Sequence, residues 1–400
     1  MNTQKAPVPL LKPGHPVDWW FIFKFNAGSF PGCNGETTQT CPFGGTPQGY
    51  RYWSQQFVYA SSEQLSLQMG MGCVGATLED PLGATFGQVY NHDCYYLIWN
   101  DQFYDDPPIR GCENVCEAPW GHSKGMLAWN ETGEGFVLQV STPSWPAAGS
   151  KKHARQTDGN TLGCTKDDDI EVSQHFFALK LTPTDLVAVL TALKNASVAT
   201  DPTNPQIVLN GGPPEIQTLV KKLGHHSRSR TCTKTRLSSG VELISKPSHL
   251  HVPPWQLVSA LLAGVPLRVA SWWAHPKIYS TTDSTPIKCW ADDLNPPGPV
   301  QIATSGSWDG KSIGLTGGEG PHHNHAKFGV SMTSDTPYAI FGDMNQQGAL
   351  SPKYAYKTQR CSSSQNGRGG LFYAIGNSTL WESLTQLLEG ASAPTSTPPK

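Results

Sequence analysis

Histidine, any residue, lysine stands in both halves of this 400-residue chain, as His122-Ser123-Lys124 and as His325-Ala326-Lys327. Both stretches read as β-strands, where residues two apart project from the same face, so each copy sets an imidazole beside an ammonium. Two such faces meeting at one pocket would offer two imidazoles and two cations. That set suits a phosphodiester: one imidazole attacks phosphorus, the other protonates the leaving oxygen, and the ammonium groups neutralise the non-bridging oxygens. This chemistry calls for no metal and no cofactor. The plainer reading, a polar crevice, leaves the duplication unexplained, and lysine is rarely buried without a partner.

Each copy runs into a second strand and then a polar turn. Gly135–Val140 and Ser141-Thr142-Pro143-Ser144 follow the first; Pro337–Phe341 and Gly342-Asp343-Met344-Asn345 follow the second. This order resembles the phospholipase D superfamily, whose two halves each give one H-x-K to a shared site. The aspartate which that superfamily carries seven residues after the histidine is replaced by Trp129 and Met332. A narrower family matches more of the chain. Val17–Lys24, Tyr96–Gln102, Gly121–Gly125, His325–Phe328 and Gly342–Gln346, with weaker matches at Gly159–Cys164 and Arg368–Gly370, resemble deoxyribonuclease II, the acid DNase. The pieces run in order over nearly the whole chain, and residues 175–300 match poorly. Three positions depart from the animal pattern. Val140 stands for a histidine, which removes an auxiliary active-site group; Gly329 stands for a cysteine, which implies another disulfide layout; Phe328 stands for a tryptophan.

The resemblance implies an α/β fold made of two phospholipase D-like halves, mixed sheets flanked by helices, in a pseudo-two-fold arrangement around one shared active site. It implies an endonuclease that hydrolyses double-stranded DNA in acid without a metal or cofactor, through a phosphohistidine, leaving 3′-phosphate ends. In that scheme His122 is the nucleophile and His325 the general acid, then base. Lys124 and Lys327 hold the non-bridging oxygens. Asn345, Asp343 and Arg368 bind substrate, and Ser141 and Ser144 are the first-half counterparts of that turn. A homodimer would match the two antiparallel strands of a duplex. Two other classes stay open: a phospholipase D-like phosphodiesterase with another substrate, which needs an apolar acyl-accepting groove, and a non-catalytic polyanion-binding protein, which leaves both motifs idle.

The elements that must position these residues are legible. Val17–Phe25, Tyr95–Trp99 and Leu267–Trp273 are continuous apolar runs, expected as buried strands. Thr182-Pro183-Thr184-Asp185 opens a helix to about Lys194 by an N-cap and a first-turn proline. A second helix is expected over Trp255–Ala263, ended by Gly264, and a third over Thr379–Leu388, capped by Ser378. Strands alternating with helices argue for α/β. The stretch Val198–Pro205 divides residues 1–200 from 201–390, and the Ser/Thr/Pro-rich residues 391–400 read as a disordered tail.

Forty glycines and 33 prolines indicate a loop-rich globular protein, and no apolar run reaches the roughly 18 residues of a membrane span. Residues 1–7 lack an apolar signal region. Ten cysteines favour disulfides, hence secretion or an acidic, oxidising compartment, with Cys33/Cys41 and Cys112/Cys116 near enough to close small loops. Net charge is −2 with neutral histidines, so attraction to DNA depends on acid, where thirteen histidines gain charge. Other clusters read as solvated or loop residues. They are His322-His323 beside the second motif, Asp167-Asp168-Asp169 with Glu171, His249/His251, and Lys353, Lys357 and Arg360, which could grip a distal phosphate. His225-His226 with Lys221, Lys222, Arg228 and Arg230 forms a basic patch that could face DNA.

Overall fold

Apolar strands that bury both faces need cover on both sides, and among the described residues two large sheets and five α-helices provide it. The computed structural model describes residues 5–30, 43, 56–156, 160, 162, 171–354 and 360–395. The first sheet contains β1 (Trp19–Lys24), β2 (Phe57–Ser61), β3 (Gln68–Met69), β4 (Tyr95–Asn100), β5 (Lys124–Trp129), β6 (Gly135–Val140), β7 (Gln174–Leu181) and β8 (Val208–Leu209). They are hydrogen-bonded in the order β8-β4-β5-β6-β7-β1-β2-β3. The second contains β9 (Thr233–Arg236), β10 (Glu242–Lys246), β11 (Leu267–Ala270), β12 (Val300–Ile302), β13 (Phe328–Ser331), β14 (Tyr338–Gly342) and β15 (Gly370–Gly376), in the order β9-β10-β15-β14-β13-β11-β12. Only β11 and β12 pair in parallel among these neighbours.

The helices are α1 (Pro81–Tyr90), α2 (Pro183–Ala196), α3 (Pro214–Val220), α4 (Pro254–Leu261) and α5 (Ser378–Leu387). Five strands of each sheet share one chain order and one sheet order. A strand (β1 or β10) leads through a helix (α1 or α4) to a second strand (β4 or β11). Three antiparallel strands follow (β5-β6-β7 or β13-β14-β15), then a closing helix (α2 or α5). Each H-x-K stands at the entrance to the first of those three strands.

The inner faces of the sheets meet in one core. Phe21 of β1 stacks on Phe341 of β14 with ring centres 4.4 Å apart, and Phe177 of β7 meets Phe341 at 4.7 Å and Tyr373 of β15 at 5.4 Å. The stretch 198–205 is therefore a loop across a fused core, and first-sheet pairing continues past it, because β8 bonds to β4. Thr182 caps α2 and Pro183 opens its first turn as expected, and the structure adds a reciprocal capping box with Asp185. The cap of α5 is Asn377, which accepts from Leu380 N at 2.9 Å, one residue earlier than Ser378.

Three further expectations change. Both motif histidines precede their strands: β5 begins at Lys124, the last residue of the first motif, and β13 at Phe328, just after the second. Residues 391–395 are tied down where disorder was expected: Ala393 is buried and donates its N–H to the Ile302 carbonyl, and Ser392 and Thr395 bridge to Ala303 and Ser280. Cys112–Cys116 is a disulfide as the spacing suggested, but Cys289–Cys361 was not foreseen, and Cys94 and Cys232 are free thiols. Cys33/Cys41, Asp167–Asp169, Lys357 and most of Gly159–Cys164 lie outside the described residues. No helix among the described residues is long and apolar enough to cross a membrane.

Candidate active site

Each motif histidine is held by a carbonyl from the other half, which explains why the histidines stand outside the strand ladders. His122 N donates to Gly369 O at 2.8 Å, and His325 N donates to Ser173 O at 2.8 Å. The first contact requires close backbone approach. Gly121 and Gly369 both pack on the Ala196 carbonyl at the end of α2, and a Cβ on either would collide with it.

These two crossings bring both motifs to one cavity of about 220 Å³, lined by Asp101, Gln102, Val115, His122, Trp272, His325, Lys327, Asn345, Gln365 and Arg368. His122 Nδ1 donates to the Asp343 carbonyl at 2.5 Å. A carbonyl only accepts, so the ring carries its proton on Nδ1 and its lone pair on Nε2. That nitrogen lies 3.4 Å from Asn345 Nδ2. His325 packs edge-to-face against Trp272, ring centres 4.1 Å apart. Lys327 Nζ donates to the His325 carbonyl, and Lys327 N donates to His175 Nδ1 at 3.1 Å, which leaves the buried His175 proton on Nε2.

Asp101 organises the cations of the first half. Lys124 Nζ reaches one of its oxygens at 2.5 Å and Arg368 Nη2 the other at 2.8 Å. Arg368 also donates to the carbonyls of Trp120, Cys116 and Gly121. Lys246, fully buried, donates to the carbonyls of Arg368 at 2.7 Å and Asn366 at 2.9 Å and so holds the loop that carries Gln365 and Arg368.

Burial would raise the Asp101 carboxyl, but the charges of Lys124, His122 and Arg368 outweigh it and hold the group well below the usual carboxylate range. Burial drives His122 well below its ordinary value, opposed by Asp101 and aided by Lys124, Arg368 and Lys327. His325 is driven down too, by burial first and then by Lys327, Lys124, His122 and Lys24. Burial pushes the Lys246 ammonium down to about 7. Asp343 is pushed up to about 7 by burial, against the hydrogen bonds from Ser123 and Leu371.

Of the residues picked from sequence, His122, His325, Lys327, Asn345 and Arg368 line the cavity. Lys124 lies behind it on Asp101. Asp343 also lies behind the wall, its carboxylate taking the Ser123 hydroxyl and Leu371 N, since the turn after β14 folds that side chain inward. Ser141 does not reach the cavity: its hydroxyl donates to Gln174 Oε1 and accepts from His175 N at 2.8 Å. Ser144 instead turns toward the Gln102 carbonyl, at 3.2 Å. Val140 is buried in β6 opposite Phe176, the neighbour of His175. His322 and His323 occupy the loop before the second motif, and neither Lys353 nor Arg360 lines the cavity. Sequence reading missed Trp272, Val115, Gln365, His175 and Lys246. Asp101 and Gln102 did carry a signal, as the end of Tyr96–Gln102.

Residues 9–392 match the family model described as Deoxyribonuclease II. The chain is 23% identical over 386 residues to cell-death-related nuclease 7 of Caenorhabditis elegans, covering 92% of this chain and 83% of that protein. It is 30% identical over 158 residues to deoxyribonuclease-2-alpha of Sus scrofa, covering 38% of this chain and 37% of that protein. Over 115 residues it is 30% identical to deoxyribonuclease-2-beta of Mus musculus, covering 28% and 29% of the two chains.

Proposed function

This chain belongs to the deoxyribonuclease II family, and from that premise we propose that it is an acid endonuclease that hydrolyses double-stranded DNA without a metal, through a phosphohistidine. The observation that carries this reading is the tautomer of His122. With Nδ1–H committed to the Asp343 carbonyl, Nε2 presents its lone pair at a cavity that also holds His325 and Lys327. His122 Nε2 attacks phosphorus while the bond to the 5′ oxygen breaks, and that oxygen takes the proton of the His325 imidazolium. The neutral His325 then takes a proton from water as the water attacks phosphorus. The phosphorus–nitrogen bond breaks, its electron pair returns to Nε2, and a 3′-phosphate end leaves. Lys327 and Arg368 oppose the charge on the non-bridging oxygens, Lys124 adds to the field through Asp101, and Asn345 orients the phosphate or the ring.

The pH dependence follows in sign. Burial keeps His122 neutral well into the acid range, as a nucleophile requires. Burial and four neighbouring basic groups keep His325 neutral near pH 7, so the proton it must donate is lost as pH rises through a value below 6.5. A bound phosphodiester, being negative, moves that value upward. The disulfides Cys112–Cys116 and Cys289–Cys361 fit a non-cytosolic compartment, either extracellular or acidic. A two-fold homodimer would present one site to each strand of a duplex.

Supercoiled plasmid incubated at about pH 5 with excess chelator tests the reading. The unaltered protein is expected to cut, and the new ends to resist ligation until the 3′-phosphate is removed. His122→Ala and His325→Ala should each lower the rate by roughly a thousandfold or more, because nucleophile and acid act as a unit. An optimum near about pH 8 with strict magnesium dependence would overturn it. Turnover of phospholipid vesicles in place of plasmid would favour the wider phosphodiesterase reading.

A further inference from the structure

A cavity of about 220 Å³ accommodates one phosphodiester and its immediate neighbours, so a long polyanion must be held elsewhere. Residues 216–241 contain six Lys or Arg, two His and no Asp or Glu, within a chain of net charge −2. Lys221, Lys222, Arg228 and Arg230 are exposed, whereas Arg236 is committed to Glu242 at 3.6 Å.

This segment is anchored at three points, on the end of α2 and on Trp120, beside the first motif. Ser197, at the end of α2, accepts Gly121 N on its carbonyl at 2.8 Å and Ser227 N on its hydroxyl at 2.9 Å, and Gly121 directly precedes His122. The His226 ring lies 4.2 Å from that of Trp120, whose carbonyl takes Arg368 Nε at 3.0 Å. Asn195 Nδ2 donates to the Thr231 carbonyl at 3.1 Å. The basic segment is thus one residue's hydrogen bonds away from the nucleophile's loop and one ring contact from the carbonyl that grips the cavity arginine.

We propose that Lys221, Lys222, Arg228 and Arg230 form a track for the sugar–phosphate backbone of duplex DNA flanking the scissile bond, on the His122 side of the cavity. This rests on the nuclease reading above. Such contacts set register and affinity without reading bases. A run of exposed cations is by default a solvated face. What sets this one apart is the lack of any carboxylate within it and its backbone attachment beside the motif.

The test is binding of a fluorescently labelled duplex of about 30 base pairs, by anisotropy at about pH 5 over a range of salt. It uses a His122→Ala background so that the duplex persists. Lys221→Gln/Lys222→Gln/Arg228→Gln/Arg230→Gln should weaken binding at least about tenfold and flatten the salt dependence by about 0.9 in slope for each phosphate that is no longer neutralised. Lys221→Gln/Lys222→Gln alone should give about half the slope change. Lys151→Gln/Lys152→Gln, in the exposed turn of residues 151–153, removes two charges elsewhere and should leave affinity and slope unaltered. Parental affinity and slope in the fourfold variant would overturn the track, as would an equal loss in the 151/152 control. Failure of the nuclease reading shows separately, as no plasmid cleavage by the unaltered protein, and leaves the binding result readable.

Discussion

Asp343 shows how much one residue behind a cavity can decide. Its carbonyl sets the His122 tautomer, while its carboxyl takes the Ser123 hydroxyl and Leu371 N at 2.9 Å. Burial raises that carboxyl from an ordinary 3.8 to about 7. The folded state therefore holds a proton that the unfolded chain releases at lower pH. The stability this contributes is fully present below the ordinary carboxyl value and is lost as pH rises to about 7. Asp343→Asn keeps the neutral form at every pH and leaves the main-chain carbonyl in place. Its melting temperature should track the parent in acid and fall less than the parent's between about pH 5 and pH 8. Parallel curves for the two proteins across that window would mean that Asp343 ionises as an ordinary carboxylate.

At the scale of elements, the end of α2 is the contact on which the first half of the site depends. Ala196 presents its carbonyl to Gly121 and Gly369 together, and the approach of those glycines lets His122 N bond to Gly369 O across the halves. A methyl group on Gly369 must push the strand lead-in off α2 and carry Arg368 and His122 with it. Gly369→Ala is expected to cost about 1–3 kcal/mol in urea denaturation and most of the plasmid-cutting rate. Gly376→Ala, where the added carbon meets only ordinary contacts with Tyr338, should be close to neutral. Equal stability and activity for both variants would show that this approach has slack.

At the scale of the whole molecule, a single cavity among the described residues contains both histidines, so one copy of the chain can cut one strand at a time. A duplex has two antiparallel backbones related by local two-fold symmetry, which a two-fold dimer would match. Light scattering at about pH 5 should return twice the 43.4 kDa chain mass, and early plasmid products should include linear DNA beside nicked circles. A monomer that only nicks would remove the dimer and leave the chemistry untouched. The same scale bears on attraction to DNA. His122, His175 and His325 are all held well below their ordinary value by burial, so without a bound phosphate these three add little to the charge the chain gains in acid.

What the sequence by itself determined was local: the H-x-K pairs that begin at His122 and His325, the strands that follow them, the N-cap and first-turn proline at Thr182 and Pro183, and the short Cys112–Cys116 loop. Those features are set by neighbours a few residues apart, through strand alternation, helix-end hydrogen bonding and short loop closure. Tertiary structure alone decided which of the chosen residues meet. His122 takes its tautomer from a carbonyl 221 positions away, and Asp101 joins Lys124 to an arginine 267 positions away. Ser141 and Asp343 looked like cavity residues because their turns follow the right strands, yet the packing of the sheets turned them into the wall. A turn's spacing places a backbone, but the direction in which its side chain finds a hydrogen bond depends on the opposite half of the fold.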